Sequence, residues 1–293
     1  MLSRNAEPLI NSPSRRAGLQ ASDAATTYRF GRSAMAGMLL LGLLGSCGPR
    51  EEAQKDDQLA FAYGGERGPS TWGSLDPAYR ECSRGRAQSP IDLNKARRAP
   101  LPAIGVHYRP ADLEVENTGH SLEARYSPGS SITIGGKSYP LKQFHFHAPS
   151  EHRVGGRSFP LEFHLVHQAA DGGTAVVAVF AREGRPNKAL SSLSRAIPRA
   201  VGKRVLVEGR TDARHLLPDA PASRPRWSYP GSLTTPPCTE GVRWEVFTEA
   251  IEMSKSQIAR YTAVYNDNNR PVQPLHGRRP ALGGDIPTAR RAR

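Results

Sequence analysis

The chain is poor in cysteine and in long apolar runs. Only three of its 293 residues are cysteine, and neither Cys82 nor Cys238 has a cysteine or histidine partner at the spacing of a zinc motif. The apolar run from Met35 to Leu44 is shorter than the about 20 residues that cross a bilayer. The sequence also has no internal repeat. These absences argue against a cysteine-ligated zinc fold, a membrane-spanning helix at this run and a repeat architecture.

The sequence carries excess positive charge without the pattern of a nucleic-acid-binding protein. Lysine and arginine total 40 against 27 acidic residues, which gives a formal net charge of +13. Such a balance raises the question of nucleic-acid or anionic membrane partners. The arginines are scattered, however, and no stretch interleaves aromatic with basic side chains. We therefore predict no nucleic-acid partner.

The N-terminal part has the order of features of an export signal. Arginines precede the apolar run, and small residues and Cys47 follow it, as in a secretory signal peptide. We predict that residues 1–46 are an N-terminal extension and signal peptide and that residues 47–59 are a tether. The segment ending at Cys47 reads Leu-Gly-Ser-Cys and resembles a bacterial lipobox, which predicts acylation of Cys47 and a lipid anchor. A plain signal peptide cleaved nearby and a misplaced start codon are the alternatives.

Export also bears on the other two cysteines. If Cys47 is acylated, Cys82 and Cys238 remain as an even pair in a compartment where disulfides persist. A bond between them would close a long loop and contribute up to about 4–5 kcal/mol in the chain-entropy model. The sequence alone leaves open whether they pair, stay as free buried thiols or bind metal.

Alternating apolar and polar residues predict a single, mainly β domain over residues 60–278. Helical patterns are fewer and occur at Asn187–Arg195 and Ser254–Tyr265. Residues 279–293 lack either pattern and are predicted to be a basic disordered tail. The strand candidates are Leu113–Glu116, Ser121–Tyr126, Ser131–Ile134, Ser138–Leu141, Gln143–His147, Pro160–Gln168, Ala175–Phe180 and Val242–Phe247.

Three histidines have the spacing of a metal site on paired strands. His145 and His147 lie two residues apart, so in a strand both project from the same face. The segment after them contains a glycine pair, which lets the next strand return antiparallel and bring His164 beside them. Three imidazoles with an open fourth position are typical of catalytic zinc. Structural histidines, or an iron site using Glu151 or Glu162, are the alternatives.

Seven motifs in order resemble the α-carbonic anhydrases, especially the exported bacterial members, and the resemblance covers Phe61 to Arg278. Each motif alone is weak, but the ordered set is specific. The motifs are Gln88-Ser89-Pro90-Ile91-Asp92, Asn117-Thr118-Gly119-His120, Gln143-Phe144-His145-Phe146-His147, Ser150-Glu151-His152, Glu162-Phe163-His164-Leu165-Val166-His167, Tyr229-Pro230-Gly231-Ser232-Leu233-Thr234-Thr235-Pro236-Pro237-Cys238 and Asn269-Arg270-Pro271-Val272-Gln273-Pro274-Leu275.

The resemblance implies a central, largely antiparallel, twisted sheet of about ten strands, with Zn2+ at the base of a conical cleft. It also implies pairing of Cys82 with Cys238, as in exported members. The implied activity is reversible hydration of carbon dioxide to bicarbonate and a proton, by attack of a zinc-bound hydroxide with histidine proton shuttling.

The same resemblance assigns roles to individual residues. Thr234 would accept a hydrogen bond from the hydroxide and donate one to Glu151, which orients the nucleophile. His120 matches the proton shuttle, Tyr63 matches a tyrosine of the water network, and Thr235 would contact substrate or product. The implied zinc ligands and their outer partners are His145 with Gln143, His147 with the backbone carbonyl of Asn268, and His164 with Glu162. The implied carbon dioxide pocket is Val166, Val176, Leu233 and Trp244, for which ordinary core packing is a compatible alternative.

Other functions are less consistent with these residues. Non-catalytic binding modules of this type lose at least one zinc histidine, and all three are present here. Ester hydrolysis is expected only as a side reaction. We predict a location on the periplasmic side of the cell envelope. By resemblance to Gram-negative lipoproteins, Gly48 rather than aspartate after Cys47 favours the outer membrane.

Overall fold

Thirteen β-strands and four short α-helices build residues 60–284, the part of the chain that this computed structural model describes. The strands are β1 Arg97–Arg98, β2 Ile104–His107, β3 Leu113–Asn117, β4 Leu122–Tyr126, β5 Ser131–Ile134, β6 Lys137–His147, β7 Leu161–Gln168, β8 Thr174–Glu183, β9 Arg204–Leu206, β10 Arg226–Ser232, β11 Glu240–Phe247, β12 Ile251–Met253 and β13 Ala281–Gly283. The helices are α1 Trp72–Leu75, α2 Glu81–Arg84, α3 Ser191–Arg195 and α4 Lys255–Thr262.

Ten strands follow one another across the sheet in the order β1-β13-β10-β11-β8-β7-β6-β4-β3-β9. The remaining strands pair at its sides, β12 with β8, and β5 with both β2 and β6. Pairing is antiparallel except at β1–β13, β11–β8 and β12–β8. The prediction of a mainly β fold with a largely antiparallel sheet of about ten strands is confirmed.

The centre of the sheet is apolar on both faces. The continuous apolar run predicts strand β8, and the structure confirms it. Alternate residues of β8 belong to different apolar clusters, so both faces of the strand are covered. Val177 and Val179 pack into the larger cluster, together with Phe144 and Phe146 of β6. Val176, in contrast, packs into the second cluster on the other face.

Strand β6 is longer than predicted. The candidates Ser138–Leu141 and Gln143–His147 form one strand, with a register irregularity between Leu141 and Gln143 where it pairs with β7. Its first part pairs with β5 and its last part with β4 and β7. The change of partner explains why the apolar alternation is interrupted there.

The predicted disordered tail at 279–293 is wrong for its first part. Strand β13 pairs antiparallel with β10 and parallel with β1, and Leu282 packs against the second cluster. Three residues are too few to show a period, and their order comes from neighbours distant in sequence. Residues 285–293 lie outside the described residues.

Helix α4 begins where its serine cap predicts. The Ser254 side chain accepts a hydrogen bond from the backbone N–H of Gln257, and the Gln257 side chain accepts one from the Ser254 backbone N–H. The helix ends at Thr262, three residues before the predicted Tyr265.

The predicted pairing of Cys82 with Cys238 is confirmed by a disulfide between α2 and the segment after β10. The predictions for the signal peptide, for Cys47 and for the tether fall on residues outside the described part. Within residues 60–284, no helix is long and apolar enough to cross a membrane.

Candidate metal centre

The three predicted histidines come together on two neighbouring strands. His145 and His147 lie on β6, and His164 lies on β7 directly opposite His145. The ring centroids are 5.1 Å apart for His145–His147, 5.3 Å for His145–His164 and 4.6 Å for His147–His164. One ligand nitrogen from each ring lies within 4.8 Å of the others. The two-residue spacing places His145 and His147 on the same face of β6, and the register between β6 and β7 brings His164 beside them.

Each ring is held by a hydrogen bond on one nitrogen. His145 Nδ1 lies 2.8 Å from Gln143 Oε1, as the resemblance implied. The Nε2 of His164 lies 2.9 Å from Glu162 Oε1. The partner of His147 is the backbone carbonyl of Asn268, 2.6 Å from Nδ1. Because one nitrogen is engaged in each ring, His145 and His147 have Nε2 for a metal and His164 has Nδ1.

The remaining nitrogens suit a zinc ion. His147 Nε2 is buried without a hydrogen-bond partner among the described residues, although buried polar atoms are almost always paired. Burial lowers the pKa of His147, and burial with the neighbouring histidine charges holds the pKa of His145 well below its usual value. Metal binding requires neutral imidazoles. Three imidazoles with fixed outer partners are a donor set that zinc accepts.

A second group of ligating side chains lies nearby but is saturated by its own hydrogen bonds. Glu162 accepts from the backbone N–H of His152 at 2.8 Å and lies 2.6 Å from His152 Nδ1. The other ring nitrogen of His152 lies 2.6 Å from the Tyr229 hydroxyl. Burial opposes ionisation of Glu162, but the charges of His152 and His164 and their hydrogen bonds outweigh it and hold its pKa well below the usual range. This group therefore orients His164 rather than forming a second metal site.

Glu151 lies between two of the ligands. Its Oε1 accepts the backbone N–H of Arg270 at 2.8 Å. Its Oε2 lies 3.5 Å from His147 Nε2 and 3.9 Å from His164 Nδ1, and has no hydrogen-bond partner among the described residues. The predicted hydrogen bond from Thr234 to Glu151 is absent within residues 60–284, where this oxygen has no hydrogen-bond partner. The Thr234 relay stays a prediction.

The loop that carries Thr234 and Thr235 connects β10 to β11 and is anchored by the disulfide. Thr234 is buried and Thr235 is half-buried. The backbone N–H of Cys238 donates to the Thr235 carbonyl at 2.8 Å. The bond from Cys238 to Cys82 thus holds this loop against the N-terminal helices.

The predicted apolar pocket residues share one cluster beside the metal centre. Val176 and Trp244 are buried members of the second cluster, and half-buried Val166 and Leu233 pack against it. The Trp244 ring meets the His164 ring edge-on, with centroids 4.8 Å apart. The four residues therefore form an apolar wall next to one ligand.

The predicted shuttle residue, His120, lies at the partly exposed edge of the site, which we call the rim. His120 is half-buried and stacks on Phe61, with ring centroids 3.7 Å apart, and burial lowers its pKa. Asn268 links the rim to the centre, because its amide donates to the His120 carbonyl while its own carbonyl holds His147. The Tyr63 hydroxyl is buried with no hydrogen-bond partner in the described part. Burial and then the charge of Glu151 raise the pKa of Tyr63 well above its usual value.

Sequence reasoning gave no role to Arg270, which supports the site from behind Glu151. Arg270 is buried, and its guanidinium donates to Gln88 Oε1 at 2.9 Å and to the carbonyls of Ser89 and Cys82 at 2.8 Å. It thereby ties Glu151 to the disulfide. The only signal for it was its position in a family motif.

The sheet and its histidine cluster define a class of protein: a β-sheet protein in which three histidines beside an apolar wall could hold a metal ion. The family model for eukaryotic-type carbonic anhydrase matches residues 67–280. The chain is 40% identical over 238 residues to a carbonic anhydrase of Neisseria gonorrhoeae, covering 80% of this chain and 93% of the relative. It is 39% identical over 221 residues to one from Klebsiella pneumoniae, covering 74% and 89%.

A solved structure agrees with these relatives. The α-carbonic anhydrase of Thermovibrio ammonificans, in complex with the inhibitor sulfanilamide, superposes with a TM-score of 0.73 at 42% identity. The match covers 75% of this chain and 98% of that one. The chain belongs to the eukaryotic-type, or α, carbonic anhydrase family and is a carbonic anhydrase enzyme.

Proposed function

We propose that this chain catalyses the reversible hydration of carbon dioxide to bicarbonate and a proton, with Zn2+ held by His145, His147 and His164. The observation that carries the proposal is the set of three converging imidazoles, each with its other nitrogen hydrogen-bonded. A zinc ion so bound lowers the pKa of water to about 7, which supplies hydroxide at neutral pH.

The surrounding residues prepare the substrate and its nucleophile. The apolar wall of Val166, Val176, Leu233 and Trp244 suits carbon dioxide, which is itself apolar. Thr234 orients the nucleophile, and Thr235, on the same loop, contacts substrate or product. Glu151 Oε2, which is buried beside the ligands and has no hydrogen-bond partner among residues 60–284, would accept the hydrogen bond of the Thr234 hydroxyl.

Proton release uses the rim. His120 is half-buried, so part of its ring is open to buffer, and burial lowers its pKa from the ordinary histidine value near 6.5. Tyr63 lines the same path beside Phe61. The proton would leave the site past these two side chains.

We further propose that the enzyme is exported and attached to the periplasmic side of the envelope by a lipid on Cys47. The support is the sequence order before Cys47 and the disulfide, which persists in an oxidising compartment. Labelling with a radioactive fatty acid, compared between the native chain and Cys47→Ser, tests this attachment.

The decisive experiment is stopped-flow measurement of carbon dioxide hydration by the full chain, before and after a chelator removes metal and after zinc is added back. Activity lost on stripping and restored by zinc supports the proposal. A folded, zinc-loaded protein without activity contradicts it and favours a non-catalytic binding module.

A further inference from the structure

A pocket lies at the β1–β13 edge of the sheet and shares no residue with the candidate metal centre. It has a volume of about 530 Å3, within the usual range for ligand sites of about 300–1,000 Å3. We call it the basic pocket and define it by its four cationic lining residues, Lys95, Arg97, Arg278 and Arg279. Its other lining residues include no aspartate or glutamate.

The two walls of the basic pocket are joined by backbone hydrogen bonding. Lys95 ends a one-turn 3-10 helix and Arg97 begins β1. The backbone N–H of Arg97 donates to the carbonyl of Pro280 at 2.9 Å, next to Arg279. Residues nearly two hundred positions apart in sequence are thus held on opposite sides of one cavity.

One of the four cations is fixed in place. Arg278 is half-buried, and its guanidinium donates only to backbone carbonyls, those of Gln88, Pro230, Pro274 and Leu275. These bonds use four of its five N–H groups. No carboxylate within residues 60–284 lies at ion-pair distance from it, and the charge of Glu240 acts on it only from farther away. A cation already immobilised loses little conformational entropy when an anion binds.

The other three cations have their donors available. Lys95, Arg97 and Arg279 are exposed, and in the described part of the chain none of their side chains makes an ion pair or a hydrogen bond. A groove of about 540 Å3 beside β12 is also lined by basic residues, among them Arg182, Arg185 and Lys188, but it differs, and we call it the paired groove. There Arg182 and Arg185 both pair with Glu252, at 2.7 and 2.9 Å. The basic pocket therefore combines concave shape with unpaired positive charge.

We propose that the basic pocket binds a phosphate group, carried either by inorganic phosphate or by the headgroup of an anionic phospholipid. A phosphate offers several acceptor oxygens and up to two negative charges, and so engages more of these donors than a single carboxylate does. An attached lipid headgroup would place this edge of the sheet against a membrane surface.

The test compares variants of the full chain, all with Cys47→Ser so that no acyl group contributes to binding. The pocket variant combines Lys95→Gln, Arg97→Gln and Arg279→Gln, which are exposed positions. Each cation near an anionic membrane surface contributes a factor of about five to the affinity. The pocket variant should therefore bind vesicles that contain phosphatidylglycerol on the order of a hundredfold more weakly than the parent chain does. Carbon dioxide hydration should be unchanged, which shows that the variant is folded.

The matched control removes the same charge from the paired groove through Arg182→Gln, Arg185→Gln and Lys188→Gln. The probes are inorganic phosphate, followed by calorimetry, and vesicles of phosphatidylcholine with or without phosphatidylglycerol, followed by sedimentation. The control should bind both probes like the parent chain.

The probes also separate the two sources of the phosphate. Vesicle binding that needs phosphatidylglycerol, weakens in the pocket variant and is displaced by phosphate supports a lipid headgroup. Phosphate binding that weakens in the pocket variant, without vesicle binding, supports free phosphate. Equal weakening in both variants would reveal an effect of net charge alone and overturn the proposal. A parent chain that binds neither probe would overturn it as well.

Discussion

The two sides of the metal centre are built in different ways. On one side, neighbouring strands β6 and β7 carry the three ligands and two of their outer partners, so the register between the strands sets their positions. On the other side, Glu151, Thr234 and His120 lie on loops, held by contacts with Arg270, the disulfide and Asn268. The difference suggests a division of labour, in which the strand side controls metal affinity and the loop side controls turnover.

The loop side should give the largest loss of turnover. Thr234→Val keeps the shape of the side chain but removes the hydroxyl that orients the nucleophile. Loss of one such preorganised group costs about 10²–10³ in rate, so kcat/KM should fall several hundredfold. The measurement is stopped-flow hydration together with zinc content. Thr234→Ser is the control and should keep most activity, whereas a matching loss of zinc in Thr234→Val would break the comparison.

The strand side should respond through metal affinity. Glu162→Gln removes the charge that holds both His164 and His152, and outer partners of this kind are worth about 10–100-fold in affinity or activity. We expect zinc to bind about thirtyfold more weakly, as measured by competition with a chelator. Gln143→Ala, on the uncharged partner of His145, should have a smaller effect. Unchanged affinity with reduced turnover would assign Glu162 to the other side of the division.

The rim should affect only the proton step. His120→Ala should lower turnover about tenfold in weak buffer, less than the usual hundredfold for a proton-transfer group because water still carries part of the proton flow. Turnover should recover when imidazole is added, and zinc affinity should not change. Failure of imidazole to restore turnover would remove His120 from the proton path.

The smallest effect concerns His167, which shares β7 with His164 but not its function. His167 is buried, lies 2.7 Å from the Tyr108 hydroxyl, and burial lowers its pKa to about 3. Between pH 6.5 and 3 the unfolded chain therefore binds a proton that the folded chain does not. The free energy of unfolding should fall by up to about 1.4 kcal/mol per pH unit as the pH drops through this range.

Urea unfolding at several pH values measures this slope. His167→Gln should make the slope shallower and leave zinc affinity unchanged, although it lowers stability at pH 7. An unaltered slope would mean that other groups cause the acid sensitivity. A change in zinc affinity would show that the strand side does not act through its ligands and outer partners alone.

The same division explains what could be predicted from the sequence. Alternation marks strands, and the two-residue spacing of His145 and His147 with His164 on the next strand predicted the cluster from local pattern alone. Asn268 and the disulfide came from the family resemblance, because their partners are distant in sequence. Neither the local pattern nor the family resemblance identified the role of Arg270 or predicted that β13 forms a strand. Both depend on buried carbonyls and strand neighbours that become adjacent only in the folded chain.

The partner of His147 differs in kind from the other two outer partners. Gln143 and Glu162 are side chains, so selection or an engineer can exchange them and adjust the first and third ligands by single substitutions. The carbonyl of Asn268 belongs to the main chain, and every residue at that position supplies one. Basicity at His147 is thus protected from point mutation unless the backbone itself moves, which makes the adjustable range of this site unequal among its three ligands.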